Sequence, residues 1–313
     1  MSKKTTGREV KAFAPATVAN LGLGFDILGL ALVGPGDTVT ARLVREKGVR
    51  MGSITGDGGV LPNDAGANTA GIAAAATLRR TGIKEGIELD LEKGLPIGSG
   101  LGSSAASAAA AAWAVNRLLG SPLRRVDLVE PCVEAEEAVS GRHADNVAPA
   151  LLGGLILVQS LDPPDLVRLP VPEGLSVVVV TPDFVLNTRD SRSVLPESVP
   201  LKKVVRSTAN IAAMVSACYS GDMALLARCV TDEIVTPARA PLIPGCGEVM
   251  DAALNAGALG SNISGAGPSV FALCRSPISA ARAADAMKAA FAEAGLESTA
   301  LISPADCPGA RST

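Results

Sequence analysis

The stretch "LPIGSGLGSSAASAAAAAWAVNRLLG", Leu95 to Gly120, constrains this chain more than any other. Gly98, Gly100 and Gly102 alternate with small or aliphatic residues, and an alanine-rich run follows with no charge before Arg117. Glycines at that spacing let a backbone turn sharply and approach a ligand closely. The run behind them predicts a helix over Ser103–Leu119: two serines open it, alanine favours it, Arg117 suits its last turn, and Gly120 with Pro122 ends it. A loop that empties into a helix N-terminus offers unpaired N–H groups and roughly half a positive charge, which suits a phosphate. It is not a Walker loop, because no Lys lies between Pro96 and Arg117. Nor is it a dinucleotide fingerprint, because Ser103 stands where the third glycine belongs. Glycine, serine, proline and alanine also supply too little apolar area for a membrane span. A flexible turn beside a core helix is the competing reading of the stretch taken alone.

Composition narrows the remaining choices. The 313 residues leave room for two domains. A net charge of -3 without runs of like charge, and only 2% aromatic residues, argue against a nucleic-acid partner. Six cysteines without a CxxC pair, and one histidine, read as free thiols in a reducing compartment rather than a zinc or disulfide framework. The opening residues "MSKKTTGREVKAFAPA" lack the apolar core of a secretory signal. The expected location is the cytoplasm, or the plastid stroma in a plant or alga, with no membrane partner.

Strands are predicted at Thr38–Val44 and Ser176–Thr181, and helices over 68–80, 126–139, 204–219, 223–230 and 278–294, the last leading to a final short strand. The segment "SLDPPDLVRLPVPEG", Ser160 to Gly174, places four prolines between two apolar runs and is the candidate domain junction. Domains over 1–168 and 169–313 are expected.

Three further segments carry chemistry. "APATVANLGLGFDILGLAL" places Asn20 and Asp26 among glycines in an apolar setting, where a carboxylate either caps a turn or meets a partner. "EAEEAVSGRHADNVAPALLGG" gathers Glu136, His143, Asp145 and Asn146 between a helix and an apolar strand. A lone histidine is as often structural as functional there. Glu136 facing Ser104 could complete an oxygen site for Mg²⁺, an ion that takes few protein carboxylates beside water and phosphates. "SGAGPSVFALC", from Ser264, is a glycine loop feeding a strand, or only a hairpin turn.

Together these segments resemble the small-molecule kinase superfamily of galactokinase, homoserine kinase, mevalonate kinase and phosphomevalonate kinase (GHMP kinases). Its PxxxGLGSSAA motif appears as Pro96 to Ala106. The homoserine kinase branch is the nearest likeness, through "PATVANLGLGFDILGLAL", "PIGSGLGSSAAS", "SGRHADNVAPALLGG", "LNTRDSRSVLP", "PARAPLIPG" and "SGAGPSVFAL". One departure is Leu23, where the family commonly has proline.

The resemblance implies an α+β fold with an N-terminal domain like the second domain of ribosomal protein S5, a ferredoxin-like C-terminal domain, and the active site between them. It implies ATP on Pro96, Ile97, Gly98, Ser99, Gly100, Leu101, Gly102, Ser103, Ser104, Ala105 and Ala106, with Mg²⁺ on Ser104 and Glu136. For L-homoserine it implies Asn20, Asp26, His143, Asn146, Thr188, Arg192, Arg239 and Gly265, with Asp26 on the ammonium and both arginines on the carboxylate. Arg189 falls off the family's position. Asn146 is expected to position the reacting hydroxyl, with Asp145 and Arg192 as the other catalytic candidates. The expected assembly is a homodimer. A mevalonate- or sugar-type kinase of the same superfamily, or a silent nucleotide-binding regulator, are the alternatives.

Overall fold

A computed structural model describes residues 8–313. The first half builds β1 (Glu9–Ala19), β2 (Leu28–Val44), β3 (Gly48–Thr55), α1 (Thr69–Thr81), β4 (Gly86–Glu92), α2 (Ser103–Leu118), α3 (Val129–Glu137), α4 (Val147–Leu152), β5 (Leu155–Leu161) and β6 (Pro164–Leu169). Strands β1, β2, β4 and β3 lie side by side, the last pair parallel, and the β5–β6 hairpin pairs with the start of β2. β2 begins ten residues before the expected strand and runs straight through Gly34–Pro35–Gly36. The irregularity this demands lies opposite, where the β1 register shifts between Pro15 and Thr17.

Helix α2 is the predicted helix, one residue shorter, and it explains the alanines. Ala105, Ala106, Ala108 to Ala112 and Ala114 are fully buried, because α2 packs against β1 and β2 on one side and α1 on another. A helix covered all round wants small apolar residues on every face. Its cap corrects the sequence reading: no serine caps it, and the N-cap is Gly102 at φ 67°. The helix expected over 126–139 begins as a 3-10 turn, Arg125–Leu128, before α3. Helix α1 starts and ends one residue later than expected, because Asn68 is its cap, with Oδ1 accepting from the Ala70 N–H at 3.0 Å, and Gly82 closes the other end in the left-handed region.

The second half adds β7 (Ser176–Pro182), α5 (Thr188–Ser193), α6 (Leu201–Ser220), α7 (Met223–Cys229), α8 (Val235–Arg239), α9 (Cys246–Asn255), β8 (Gly260–Ile263), β9 (Val270–Cys274), α10 (Pro277–Glu293), β10 (Ser298–Pro304) and β11 (Arg311–Ser312). Its sheet has the antiparallel order β10-β7-β9-β8, the split β-α-β-β-α-β arrangement of ferredoxin-like folds, with α9 and α10 covering it. Val178, Val180, Val249, Met287 and Phe291 form that core. The proline-rich stretch holds the β5–β6 turn and strand β6, so the first covalent link between the sheets is the short segment 170–175. β11 returns to pair with β1, so the chain's last residues belong to the first sheet.

All six cysteines are free and buried, and burial pushes the Cys218 and Cys246 thiols up to about 11 and about 12. Among the described residues no helix is long and apolar enough to cross a membrane.

Candidate active site

The glycine loop lies where the two sheets meet. Gly98, Gly100 and Gly102 adopt φ of 68°, 80° and 67°, a region L side chains rarely enter. A Cβ on Gly102 would sit 2.1 Å from Thr17 Oγ1 and 2.8 Å from Asn146 Oδ1. The loop's carbonyls are held from both halves. Thr17 N–H donates to Leu101 O at 3.0 Å, Ser264 Oγ to Gly100 O at 2.7 Å, and Ser269 Oγ to Ser99 O at 2.6 Å. By contrast, no N–H from Gly98 to Ala105 donates to a protein acceptor among the described residues. With no acidic residue in the first turn of α2 either, this is a row of free donors beside a helix N-terminus, an arrangement suited to phosphates.

All but Leu101 and Ala105 of the residues that carry these donors line a cavity of about 610 Å³. Of the loop residues expected there, Ile97, Gly98, Ser99, Gly100, Gly102, Ser103 and Ser104 line it. Pro96, Leu101, Ala105 and Ala106 do not: the last three are buried beneath it, and their part is to shape the loop. Asn20, Asp26, Glu136, His143, Asp145, Asn146, Thr188, Arg192, Arg239 and Gly265, drawn from six separate elements or loops, all line the same cavity.

Contacts place most of them in two groups. Asp26 and Arg192 pair with each other, Nη2 to Oδ1 at 2.8 Å and Nη1 to Oδ2 at 3.2 Å, across 166 positions of sequence. Asp26 sits at φ 60° and Asn20 at φ 67°, and Asn20 Oδ1 accepts from the Asp26 N–H at 3.0 Å. Strained backbone of this kind persists where the surroundings enforce it, often at ligand sites. Arg239, only 2% exposed, donates from Nε to Ser191 O (3.0 Å) and from Nη1 to Gly265 O (2.8 Å), and its guanidinium lies 5.2 Å from the Phe25 ring centre. Burial, with the Arg192 charge beside it, pulls its pKa down from 12.5 to about 10, so it stays a cation at neutral pH. Gly265 spends both backbone groups internally: its carbonyl also accepts from Asn20 Nδ2, and its N–H donates to Ala19 O. It therefore holds Asn20 and Arg239 in place.

The second group is a buried chain of polar side chains. His143 Nδ1 meets Asp145 Oδ1 at 2.9 Å, His143 Nε2 meets Ser140 Oγ at 3.0 Å, and Ser140 Oγ donates to Glu136 Oε2 at 3.0 Å. Burial opposes a charge on the imidazole, but the bond to Asp145, with Glu136 and Asp26 beyond it, outweighs burial and raises the His143 pKa. Asp26, His143 and Asp145 could bring ligand atoms within 4.8 Å of one another, but each already has an ionic partner. The unmatched acceptor is Glu136 Oε1, buried with no hydrogen-bond partner, on a residue that shares the cavity wall with Ser104. An uncompensated buried carboxylate oxygen is costly and fits a cation. Asn146, at the head of α4, accepts the Thr17 hydroxyl on Oδ1 at 2.8 Å, which leaves its amide N–H groups to the cavity.

A further set of cavity residues lies outside those expected from the sequence. Lys93 and Ser107 line the cavity beneath the loop, and Leu61, Pro62, Asn68 and Thr69 form a further wall near α1. Lys93 stands only three positions before Pro96, and widening the search for a phosphate-loop lysine upstream of the glycines would have found it. Arg189, set aside on the motif, also lines the cavity, with Asp190.

Residues 68–154 match the GHMP kinases N terminal domain, and residues 214–293 the GHMP kinases C terminal domain. The homoserine kinase of Chlorobium phaeobacteroides is 42% identical over 317 residues, covering 97% of this chain and 99% of that protein. The homoserine kinase of Xanthomonas campestris is 44% identical over 305 residues, covering 97% of this chain and 94% of that one. The crystal structure of homoserine kinase from Cytophaga hutchinsonii superposes with a TM-score of 0.95 at 44% identity, over 100% of both chains. A mevalonate kinase from L. major, 16% identical with a TM-score of 0.72, covers 97% of this chain and shares the fold.

Proposed function

The chain belongs to the GHMP kinases, and within them to the homoserine kinases, and on that premise we propose that it transfers the γ-phosphoryl group of ATP to the side-chain hydroxyl of L-homoserine, giving O-phospho-L-homoserine for threonine biosynthesis. The observation that carries the reading is one cavity that unites the free N–H row at the head of α2 with Asp26, Arg192 and Arg239. The first suits polyphosphate; the second offers an acid and a cationic pair to a small zwitterion.

Homoserine exchanges one ion pair for two. Its ammonium takes Asp26 and its carboxylate takes Arg192 and Arg239, so the Asp26–Arg192 pair is separated without leaving either charge unmatched. Thr188, at the start of α5, and His143 border the same space. Phosphoryl transfer passes through a loose transition state, so positioning and charge neutralisation can carry most of the catalysis. Asn146 fits a positioning role, because its carbonyl is taken by Thr17 and what remains is a donor without basic character. Asp145 is tied to His143 through Oδ1, which leaves Oδ2 as the carboxylate oxygen nearest to a base function.

Ser104 and the unpartnered Glu136 Oε1 would hold Mg²⁺. That ion supplies positive charge to the phosphate oxygens.

The protein works as a cytoplasmic homodimer in this reading. On α6, Leu201, Val205 and Tyr219 are 76, 62 and 65% exposed and share a stripe with Thr208, Ala212 and Val215, spaced symmetrically about Asn210. Lys202 and Lys203 open that helix with no acid in its first turn, an unfavourable end for cations that an antiparallel partner's C-terminus would relieve. Light scattering should give a dimer, and Val205→Asp a monomer; a monomeric wild type removes the assembly from the proposal.

ADP release with L-homoserine, mevalonate and galactose as acceptors tests the activity. Turnover should require homoserine, and its absence with homoserine alone would replace this reading with a sister activity or a silent nucleotide binder.

A further inference from the structure

Beneath the glycine loop lies a buried ion pair that none of the roles above uses. Lys93 and Asp37 have side chains 2% and 0% exposed and are bonded to each other. Lys93 Nζ also donates toward Ser103 O (2.9 Å), Ser103 Oγ (2.7 Å) and Ser107 Oγ (3.0 Å), all in the first two turns of α2. Asp37 Oδ1 accepts from the Gly94 and Leu95 N–H groups at 3.0 and 3.2 Å, and its Oδ2 accepts from Ser107 Oγ at 2.6 Å. Three pieces of chain converge here: the middle of β2, the segment entering the loop, and the head of α2. The loop's outer carbonyls are tied to the second sheet; its inner side is tied here.

The location is electrostatically odd. A cation at a helix N-terminus faces the positive end of the dipole, and burial pulls the Lys93 pKa down, so the position is unfavourable without Asp37. No side chain caps α2, so its donors stay free. A knot that fixes Ser103 and Ser107 through side-chain and carbonyl oxygens, while touching none of the free N–H groups, holds the helix head without consuming its anion site.

Resting on the kinase reading above, we propose that Lys93, held by Asp37, is a positioning residue for nucleotide: it fixes the first turns of α2 so that the loop donors converge on the ATP phosphates.

A buried pair can also be plain structural cement, and the test separates the two. Removing one partner strands a buried charge, whereas removing both does not. Lys93→Met should lower both thermal stability and nucleotide affinity. The double variant Asp37→Asn with Lys93→Met keeps the Oδ1 acceptor for Gly94 and Leu95 and buries no charge. It should melt close to wild type yet bind ADP about tenfold more weakly by calorimetry, with the KM for homoserine within about threefold of wild type. Ser107→Ala, a mild change, should weaken ADP about threefold without a loss in melting temperature. If the double variant regains both stability and ADP affinity, or Ser107→Ala leaves ADP affinity unchanged, Lys93 is structural only. ADP affinity does not depend on the acceptor alcohol, so this outcome stands apart from failure of wild-type turnover with homoserine.

Discussion

Replacing Arg239 by leucine is the perturbation whose size the structure sets most closely. Its guanidinium is kept charged inside the protein at a cost: the fall from 12.5 to about 10 corresponds to roughly 3 kcal/mol at about 1.36 kcal/mol per unit. Two hydrogen bonds, to Ser191 O and Gly265 O, offset part of that. In Arg239→Leu the Ser191 carbonyl loses its side-chain donor, at roughly 1–3 kcal/mol, and Gly265 O keeps Asn20 Nδ2, while the buried charge disappears. The two effects nearly cancel, so stability should change by no more than about 2 kcal/mol, a melting shift of a few degrees. Substrate binding has no such compensation. A charge-assisted bond to the homoserine carboxylate contributes about 1.5–3 kcal/mol, so the KM for homoserine should rise about 10- to 150-fold. The KM for ATP should stay within about threefold. Steady-state kinetics at saturating ATP, with a melting curve, reads both. A collapsed kcat with an unchanged homoserine KM would refute the carboxylate role.

Glu136→Gln should lower kcat at least about 100-fold at ordinary Mg²⁺ and raise the Mg²⁺ needed for half-maximal rate; an unchanged Mg²⁺ titration removes Glu136 from the metal site. Gly102→Ala places a Cβ 2.1 Å from Thr17 Oγ1 at φ 67°, and should cost about 2–4 kcal/mol in urea unfolding; a loss under about 0.5 kcal/mol contradicts the loop geometry. His143 has a folded pKa raised above 6.5, so the stability it contributes is complete below about pH 6.5 and is lost as pH rises through the folded value. The urea midpoint should therefore fall from that pH upward in wild type and fall less in His143→Gln; identical profiles would show that the Asp145 contact does not hold the proton.

The sequence was most legible where the signals are local. The end of α2 is written in Gly120 and Pro122, the start of α1 in Asn68, and the buried alanines of α2 in their own composition. Local signals misled where tertiary pairing overrides them: Gly34–Pro35–Gly36 reads as a break, yet β2 passes through it because β1 absorbs the irregularity. The two serines before the alanines read as caps, but Lys93 claims Ser103, and a glycine caps the helix. Motif resemblance brought out Asp26, Arg192 and Arg239 but set Asp26 and the arginines on opposite ends of the substrate; that Asp26 and Arg192 pair with each other depends on a fold contact between the β1–β2 loop and α5, 166 positions apart. The Asp37–Lys93 pair lay outside every motif, since nothing in β2's alternation marks Asp37 as inward-facing and paired.

If the cavity reads both charged ends of an amino acid while presenting its hydroxyl to ATP, an acceptor that lacks one end should fail. The direct measurement is kcat/KM for L-homoserine against 4-hydroxybutanoate, which keeps the hydroxyl and carboxylate but lacks the ammonium. Leaving Asp26 and Arg192 paired with each other instead of with substrate should lower kcat/KM at least about 100-fold. Comparable values for the two acceptors would contradict the account.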